Sequence, residues 1–452
     1  MKREFFKYIK ALFLVSLPII IQQLFVNIAS LLDTLMVGQL DDSSVSGVYI
    51  ATQIIFVVNL AIFGATEGGS VFLCQFKGLK DKDKITNSFS FKLMFSVILA
   101  TMATIIILLF NRQLASLFTN NQEAIEIACN YMKILSISFI PFAITNAIST
   151  SMRELYHPVT PMIITAIGIV FNFMINYVLI FGKFGFPRIG ATGAAIGTIF
   201  ERLFEFIACI ILCFIKKYDF LFNLKENIKI NKELLKKMII KSVPLLINET
   251  LWAIGQSVLV YFFSQVDEIA TVVLPISNTI YNLIFVVCLG IGNGISILIG
   301  EVIGSGEYAQ GQKKGYFSLI FTLIIGITLG TILFIIAPWV VTLYTGVSVE
   351  AQRLAMYLIR FNAFYILICA LNNALFFLMR SGGRTEIVLL FDSFYAFLIQ
   401  IPGCIILLHF FKLDLVTFIC IIYSLDIIKL IIGAGIVISK KWIKNLTLSE
   451  SK

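Results

Sequence analysis

The chain writes one frame twice, half its length apart. Pro18 and Pro244 are separated by 226 residues in a chain of 452. The same offset pairs Gly64 with Gly290, Gly68 with Gly294, Ser70 with Ser296 and Gly78 with Gly304. At offset 227, Asn146-Ala147 meets Asn373-Ala374, and Met152-Arg153 meets Met379-Arg380. One such identity carries little weight. Their near-constant spacing demands a fold that divides into two like copies.

What those copies are made of follows from hydropathy. Hydrophobic residues form 59% of the sequence and charged residues 13%, about half the charge of an ordinary soluble domain. Twelve apolar runs are long enough to cross a bilayer as helix: 11–38, 45–76, 88–110, 124–152, 159–182, 189–215, 238–265, 270–303, 315–344, 351–379, 385–410 and 413–439. The expected fold class is an all-α integral membrane protein. Its twelve transmembrane helices form two six-helix lobes, over 1–215 and 238–440, joined by a basic cytoplasmic linker at 216–237 and followed by a tail at 441–452. The basic start of the first run has no small-residue cleavage site after it, so the run is expected to be retained.

The net charge of +9 does not point to nucleic acid, because the cations cluster in short loops between apolar runs. With the N-terminus in the cytoplasm, 25 lysines and arginines fall on the inner side and five on the outer. That bias places both termini inside. Six spans per copy then give both copies the same topology, a parallel repeat of the kind found in transporters that bind substrate between their halves. The eight cysteines lie almost entirely in apolar runs and read as small packing residues. His157 and His409 are far apart, and no zinc or haem motif is present.

Charges inside the spans are costly and mark function or pairing. Asp426 and Lys429, three apart, are expected to neutralise each other on one helix. Glu201 and Glu205 share a helix face from which Arg202 diverges; that segment is either compensated by a cation or part of a pathway. Lys92 and Asp392 lie near inner ends where water is close. Asp33, Glu67 and Glu249 remain. Asp33 and Glu249 have no cation within a helical turn, and an isolated buried carboxylate takes a proton or holds a cation. Either property suits ion coupling; a carboxyl satisfied by neighbouring hydroxyls or amides is the plainer alternative.

Several segments resemble the multidrug and toxic compound extrusion (MATE) transporters, and their NorM-like branch in particular. The first span, LPIIIQQLFVNIASLLDTLMVGQL, is similar to that family's first helix, with an early proline and a D-T-x-M-x-G ending. Residues 171–198 resemble its fifth and sixth helices, with an N-x-x-x-N pair before a hairpin. Glu249, five residues after Pro244, matches the acid of the seventh helix. The resemblance covers nearly the whole chain and implies an N-lobe ion site at Asp33, Asn172, Asn176 and Thr198. One carboxylate with amide and hydroxyl oxygens would suit Na⁺ or accept a proton. Some relatives carry aspartate where this chain has Asn176. In the C-lobe the resemblance implies Glu249, with Asn372 and Asn373 as the nearest polar residues of the tenth span. Glu67 matches no motif.

The function implied is secondary antiport: export of cationic or amphipathic drugs in exchange for Na⁺ or H⁺, by alternating access of two lobes that bend at Pro18 and Pro244. No cofactor, nucleic acid or ATPase subunit is expected, and no Walker A motif occurs. The expected setting is the bacterial inner membrane, with the protein acting as a monomer. The alternative is a lipid-linked saccharide flippase or polysaccharide exporter of the same superfamily, for which internal cations are few. An enzyme would need a nucleophile or metal cluster facing water, and the sequence offers none.

Overall fold

A computed structural model describes residues 2–218, 220, 232–267, 269–342, 344 and 348–447. Among these, all regular structure is helical. The helices are α1 (Lys2–Val37), α2 (Asp42–Gly78), α3 (Lys82–Ser116), α4 (Gln122–Ser136), α5 (Phe139–Glu154), α6 (Val159–Phe181) and α7 (Ala191–Lys216). They continue as α8 (Lys232–Val266), α9 (Ala270–Gly304), α10 (Tyr308–Thr342), α11 (Val349–Ser381), α12 (Thr385–Phe410), α13 (Leu415–Ser424) and α14 (Asp426–Ile438).

Two of the expected spans are broken. α4 and α5 meet at 51°. Pro141, in the first turn of α5, lacks an N–H and its ring crowds the carbonyl four residues back, so the chain restarts there. α13 and α14 part at Leu425, whose carbonyl takes the Tyr395 hydroxyl at 2.5 Å. α12 is continuous but widens into π-helical turns at Leu390–Phe394 and Ala396–Gln400. Pro402 lies just beyond and denies a donor to a carbonyl in that stretch. Among the described residues, nine helices, the α13–α14 segment and the bent α4–α5 pair are apolar enough to span a bilayer. α7 makes the twelfth segment; Glu201, Arg202 and Glu205 make it too charged to register by composition alone.

The loops outside the spans carry ordinary capping. Asp41 accepts the Ser44 backbone N–H at 2.9 Å and the Ser44 hydroxyl at 2.8 Å, opening α2. Those bonds hold its carboxyl below the usual aspartate range. Asp414 does the same for α13 by accepting from Thr417.

The chain separates into two compact units that differ from the expected lobes. One is Ile21–Leu246; the other joins Met1–Ile20 to Ile247–Lys452. The division falls inside α1 and α8, two residues after each proline, and not at the linker. The two breaks are again 226 residues apart. The glycines give the physical reason. In the first unit a Cβ on Gly68 would stand 1.8 Å from Ser242 Oγ, so the start of α8 lies directly on α2. In the second, a Cβ on Gly294 would stand 2.2 Å from Ser16 Oγ, so the start of α1 lies on α9. Ser16 and Ser242 occupy equivalent places in the repeat, as do Gly68 and Gly294. Each repeat has therefore given the opening turns of its first helix to the other repeat's second helix. Tyr8 and Glu4 extend the α1 contact, bonding Ser318 and Lys313 of α10 at 2.7 Å each.

Apolar burial between membrane helices gains little over lipid contact, so close approach by small residues carries much of the packing. Ala51, Ala128, Ala143 and Ala195 with Met132 and Phe139 form the centre of the first unit. Ala337, Ala355, Leu333, Leu358, Phe263 and Phe418 form that of the second. All eight cysteines are free thiols. The tail expected from 441 onward is docked as far as it is described; 448–452 and most of the expected linker lie outside the described residues. Trp442 is fully buried and donates its indole N–H to Gln312 Oε1 at 2.9 Å, while the Lys444 N–H bonds the Gly382 carbonyl at 2.7 Å.

Candidate functional site

In the first unit, α1, α6 and α7 bring four of the expected polar residues together. Asn172 and Asn176 are one turn apart and share a face of α6. Asn176 Nδ2 donates to Asp33 Oδ1 at 2.7 Å and to Asn172 Oδ1 at 3.0 Å. Asn172 Nδ2 reaches Thr198 Oγ1 of α7 at 3.5 Å, and that hydroxyl donates to the Ala194 carbonyl at 3.1 Å. Asn172 and Asn176 are buried; Asp33 and Thr198 are partly exposed. Gly197 admits the close approach, since a Cβ there would stand 1.9 Å from Asn176 Oδ1. That Oδ1 is buried and accepts no hydrogen bond. The group therefore offers carboxylate, amide and hydroxyl oxygens, one of them unsatisfied, with no ion pair to Asp33 among the described residues.

Near this group, Glu201 and Glu205 both face Gly168 of α6, where a Cβ would meet their Cγ atoms at 3.4 and 3.2 Å. Arg202 turns elsewhere. It donates to Ser138 Oγ at 3.1 Å and Asn59 Oδ1 at 3.4 Å, with its guanidinium 4.5 Å from the Phe142 ring centre.

The expected residues of the second unit are not joined. Glu249 on α8 makes no hydrogen bond or ion pair with Asn372 or Asn373 of α11. Asn373 Nδ2 bonds the Cys288 carbonyl of α9 at 2.8 Å. Its repeat partner Asn146 bonds Thr66 of α2 at 3.0 Å. The two asparagines thus tie fourth segment to second in both copies, which is a packing task. Asn372 Nδ2 instead bonds the Asp426 carbonyl at 3.1 Å. Pro18 and Pro244 lie within α1 and α8 as expected.

Two sequence expectations need correction. Asp426 and Lys429 do not pair. Asp426 opens α14 immediately after the break at Leu425, and Lys429 Nζ bonds Asp392 Oδ1 on the widened turn of α12 at 2.6 Å. Lys92 is not near water. Its side chain is 0% exposed and its Nζ lies 2.9 Å from Glu154 Oε2 and 3.1 Å from Ser151 Oγ. Residues missed by sequence reasoning are Asn248, Tyr365 and Gln400. Asn248 Nδ2 donates to Asp392 Oδ2 at 3.1 Å. The signal for it was the repeat itself: its partner Gln22 donates to Thr165 at 2.9 Å, linking the same two segments in the other copy.

Comparison with known proteins supplies the family. The MatE family model matches residues 18–178 and 244–406, one block on each copy of the repeat. A relative from Thermotoga maritima, "Probable multidrug resistance protein NorM", is 24% identical over 417 residues, covering 90% of this chain and 87% of its own. A solved structure described as the outward-facing conformation of a multidrug resistance MATE family transporter superposes with a TM-score of 0.86 at 18% identity, covering 96% of both chains. A second, described as MATE in the straight conformation, gives 0.87 at 19% identity over 96% of each chain.

Proposed function

Because the chain belongs to the MatE family, we propose that it exports cationic or amphipathic small molecules across the membrane in exchange for Na⁺ or H⁺. It is a multi-pass membrane transporter and not an enzyme. The observation that carries the coupling proposal is the quartet of Asp33, Asn176, Asn172 and Thr198, with one buried oxygen left without a donor. An inward-moving cation bound there would neutralise Asp33. It would favour whichever state holds the four groups together, and only such differential binding couples an ion to a conformational change. Pro18 and Pro244 are the proposed bending points, each two residues from a unit boundary. The relatives' names support drugs as substrates. The cation bias of the loops supports cytoplasmic termini, and the bacterial inner membrane and a monomeric transporter are proposed with them.

The test is efflux of a cationic dye from vesicles under imposed Na⁺ or pH gradients. Parental protein should respond to one of the gradients, and Asp33→Asn should abolish the response with normal membrane insertion. Full gradient-driven efflux by Asp33→Asn would overturn the assignment of the site.

A further inference from the structure

Each copy of the repeat ends its sixth segment in a similar way. A lysine in the left-handed conformation follows each: Lys217 after α7 at φ 49° and Lys440 shortly after α14 at φ 60°. Within three residues an aromatic side chain turns back into the unit. Phe220 is buried against Phe89 of α3, with ring centres 4.9 Å apart. Trp442 is buried on α10, the equivalent third segment.

Against that common plan the second copy departs from the first at three places, and all three touch residues 439–447. Gly315 stands where α3 has Phe89. A Cβ at Gly315 would lie 3.6 Å from Trp442 Cζ2, so a methyl would just touch the indole and a phenyl ring would collide with it. Gln312 stands where α3 has Thr86. Thr86 bonds the Lys82 carbonyl of its own helix at 3.1 Å. Gln312 instead accepts the Trp442 indole N–H and donates to the Val437 carbonyl, each at 2.9 Å, joining α10 to the end of α14 and to the segment beyond it. Gly382 stands where the first copy has Leu155. A Cβ there would lie 2.1 Å from the Trp442 carbonyl oxygen, so the segment's backbone rests directly on the α11–α12 turn. The next residue is left-handed in both copies, Tyr156 at φ 65° and Gly383 at φ 77°. The turn itself is therefore the same, and what the glycine adds is the contact.

The Lys444 N–H bonds the Gly382 carbonyl at 2.7 Å. Asn445 Nδ2 reaches the Ile303 carbonyl at 3.1 Å and the Tyr308 hydroxyl at 3.2 Å, across the α9–α10 turn. One short segment thus fastens two turns and a helix end through a few hydrogen bonds and one indole. A segment held that way opens at far less cost than the unit unfolds.

We propose that residues 439–447 form a latch. Docked, they fix the α9–α10 and α11–α12 turns to the end of α14, so that the second unit moves as one body. Released, they let the two turns separate. The part this plays in transport rests on the antiport reading, because rigid-body alternation needs a unit that keeps its shape; the mechanical role does not.

Hydrogen–deuterium exchange of the protein in detergent, read by mass spectrometry, tests it. Trp442→Ala, and a chain ended after Ser439, should each speed exchange about tenfold or more in peptides covering 301–312 and 378–388. Peptides covering 75–86 and 151–161, the same turns of the first copy, should keep the parental rate. Gly382→Leu, which installs the first copy's residue, should act like Trp442→Ala. Unchanged exchange in these variants overturns the latch, and so does equal acceleration in both copies, which is general loss of fold. If Trp442→Ala does not fold, Trp442→Phe serves. It keeps an aromatic plug and loses the indole donor, so exchange near Gln312 should still rise; no rise overturns the proposal. Gradient-driven dye efflux separates the two readings. Slowed efflux in the fast-exchanging variants supports the latch's part in transport, and parental efflux in them overturns that part. Absence of efflux in the parent would sink antiport alone and leave the exchange result standing.

Discussion

The exchange of first helices between repeats can be tested at its two closest contacts. In a helix, Gly→Ala gains about 1 kcal/mol when the added methyl meets nothing. Neither Gly68 nor Gly294 has that freedom, but their obstacles differ. At Gly294 the new Cβ meets the Ser16 hydroxyl at 2.2 Å, with Leu12 Cδ1 at 3.0 Å and Ser16 Cβ at 3.4 Å. Removing the hydroxyl leaves distances that small side-chain shifts accommodate. At Gly68 the new Cβ meets Ser242 Oγ at 1.8 Å, Cβ at 2.3 Å and Cα at 2.5 Å. There the backbone of α8 must move. Overpacking costs about 1–3 kcal/mol in a well-packed site, and a forced helix displacement belongs at or above the top of that range. Gly68→Ala should therefore be the more destabilising single change. Ser16→Ala should restore Gly294→Ala to parental stability or slightly above. Ser242→Ala should leave most of the Gly68→Ala defect in place. Thermal unfolding in detergent, followed by a thiol-reactive dye that reports exposure of the buried cysteines, reads all four combinations. Equal rescue by the two serine changes would refute the reasoning that α8 backbone, and only a side chain of α1, occupies the glycine gap.

The Lys92–Glu154 pair has almost no exposure, so Lys92→Met should cost about 3–5 kcal/mol by stranding the carboxylate. Adding Glu154→Leu should recover most of that loss; the same unfolding assay decides it, and a double variant no better than the single would count against a pairwise role. His157, in the α5–α6 turn, packs at a tilt against Tyr218, with ring centres 5.0 Å apart. Burial, with Lys77 and Lys216 nearby, holds its imidazole below the ordinary value. The unfolded chain then binds the proton more tightly, so stability falls as pH drops through the ordinary histidine range. His157→Gln should flatten that fall between about pH 7 and 5, and parallel curves for parent and variant would contradict it.

The frame of the fold was legible because its signals are local or periodic. Twelve apolar runs, two prolines and a glycine ladder stand at fixed offsets. Asn172 and Asn176 announced their shared face by being four apart. Sequence spacing failed where partners are distant. Lys92 finds Glu154 and Lys429 finds Asp392 across helix contacts that no local pattern encodes. For Asp426 and Lys429, i,i+3 spacing on one helix predicts a pair only if neither has a better partner in reach. Here the π-helical turns of α12 present Asp392 to the lysine, while Tyr365 and Gln400 take the Asp426 oxygens. The repeat reveals that two prolines are equivalent, but not which compact unit receives the turns before them.

The repeat also sharpens what differs between the copies. Gln22 with Thr165, and Asn248 with Asp392, are the same contact between first and fifth segments of each copy. It is neutral in the first unit and acidic in the second. Asp33 with Asn176 lies eleven residues further along both of its helices, about 16 Å at 1.5 Å per residue. The places eleven residues beyond Asn248 and Asp392 are Leu259 and Gly403, neither of which carries a charge. Each unit thus carries its acid on the same pair of segments, three turns apart in the frame of the repeat. A duplicated scaffold with one acid copied at one level would give two equal sites. Moving the acid along the same pair of segments gives the two carboxylates different neighbours: an asparagine amide on Asp33 and a resident lysine on Asp392, so only the second has its charge balanced by an ion pair among the described residues.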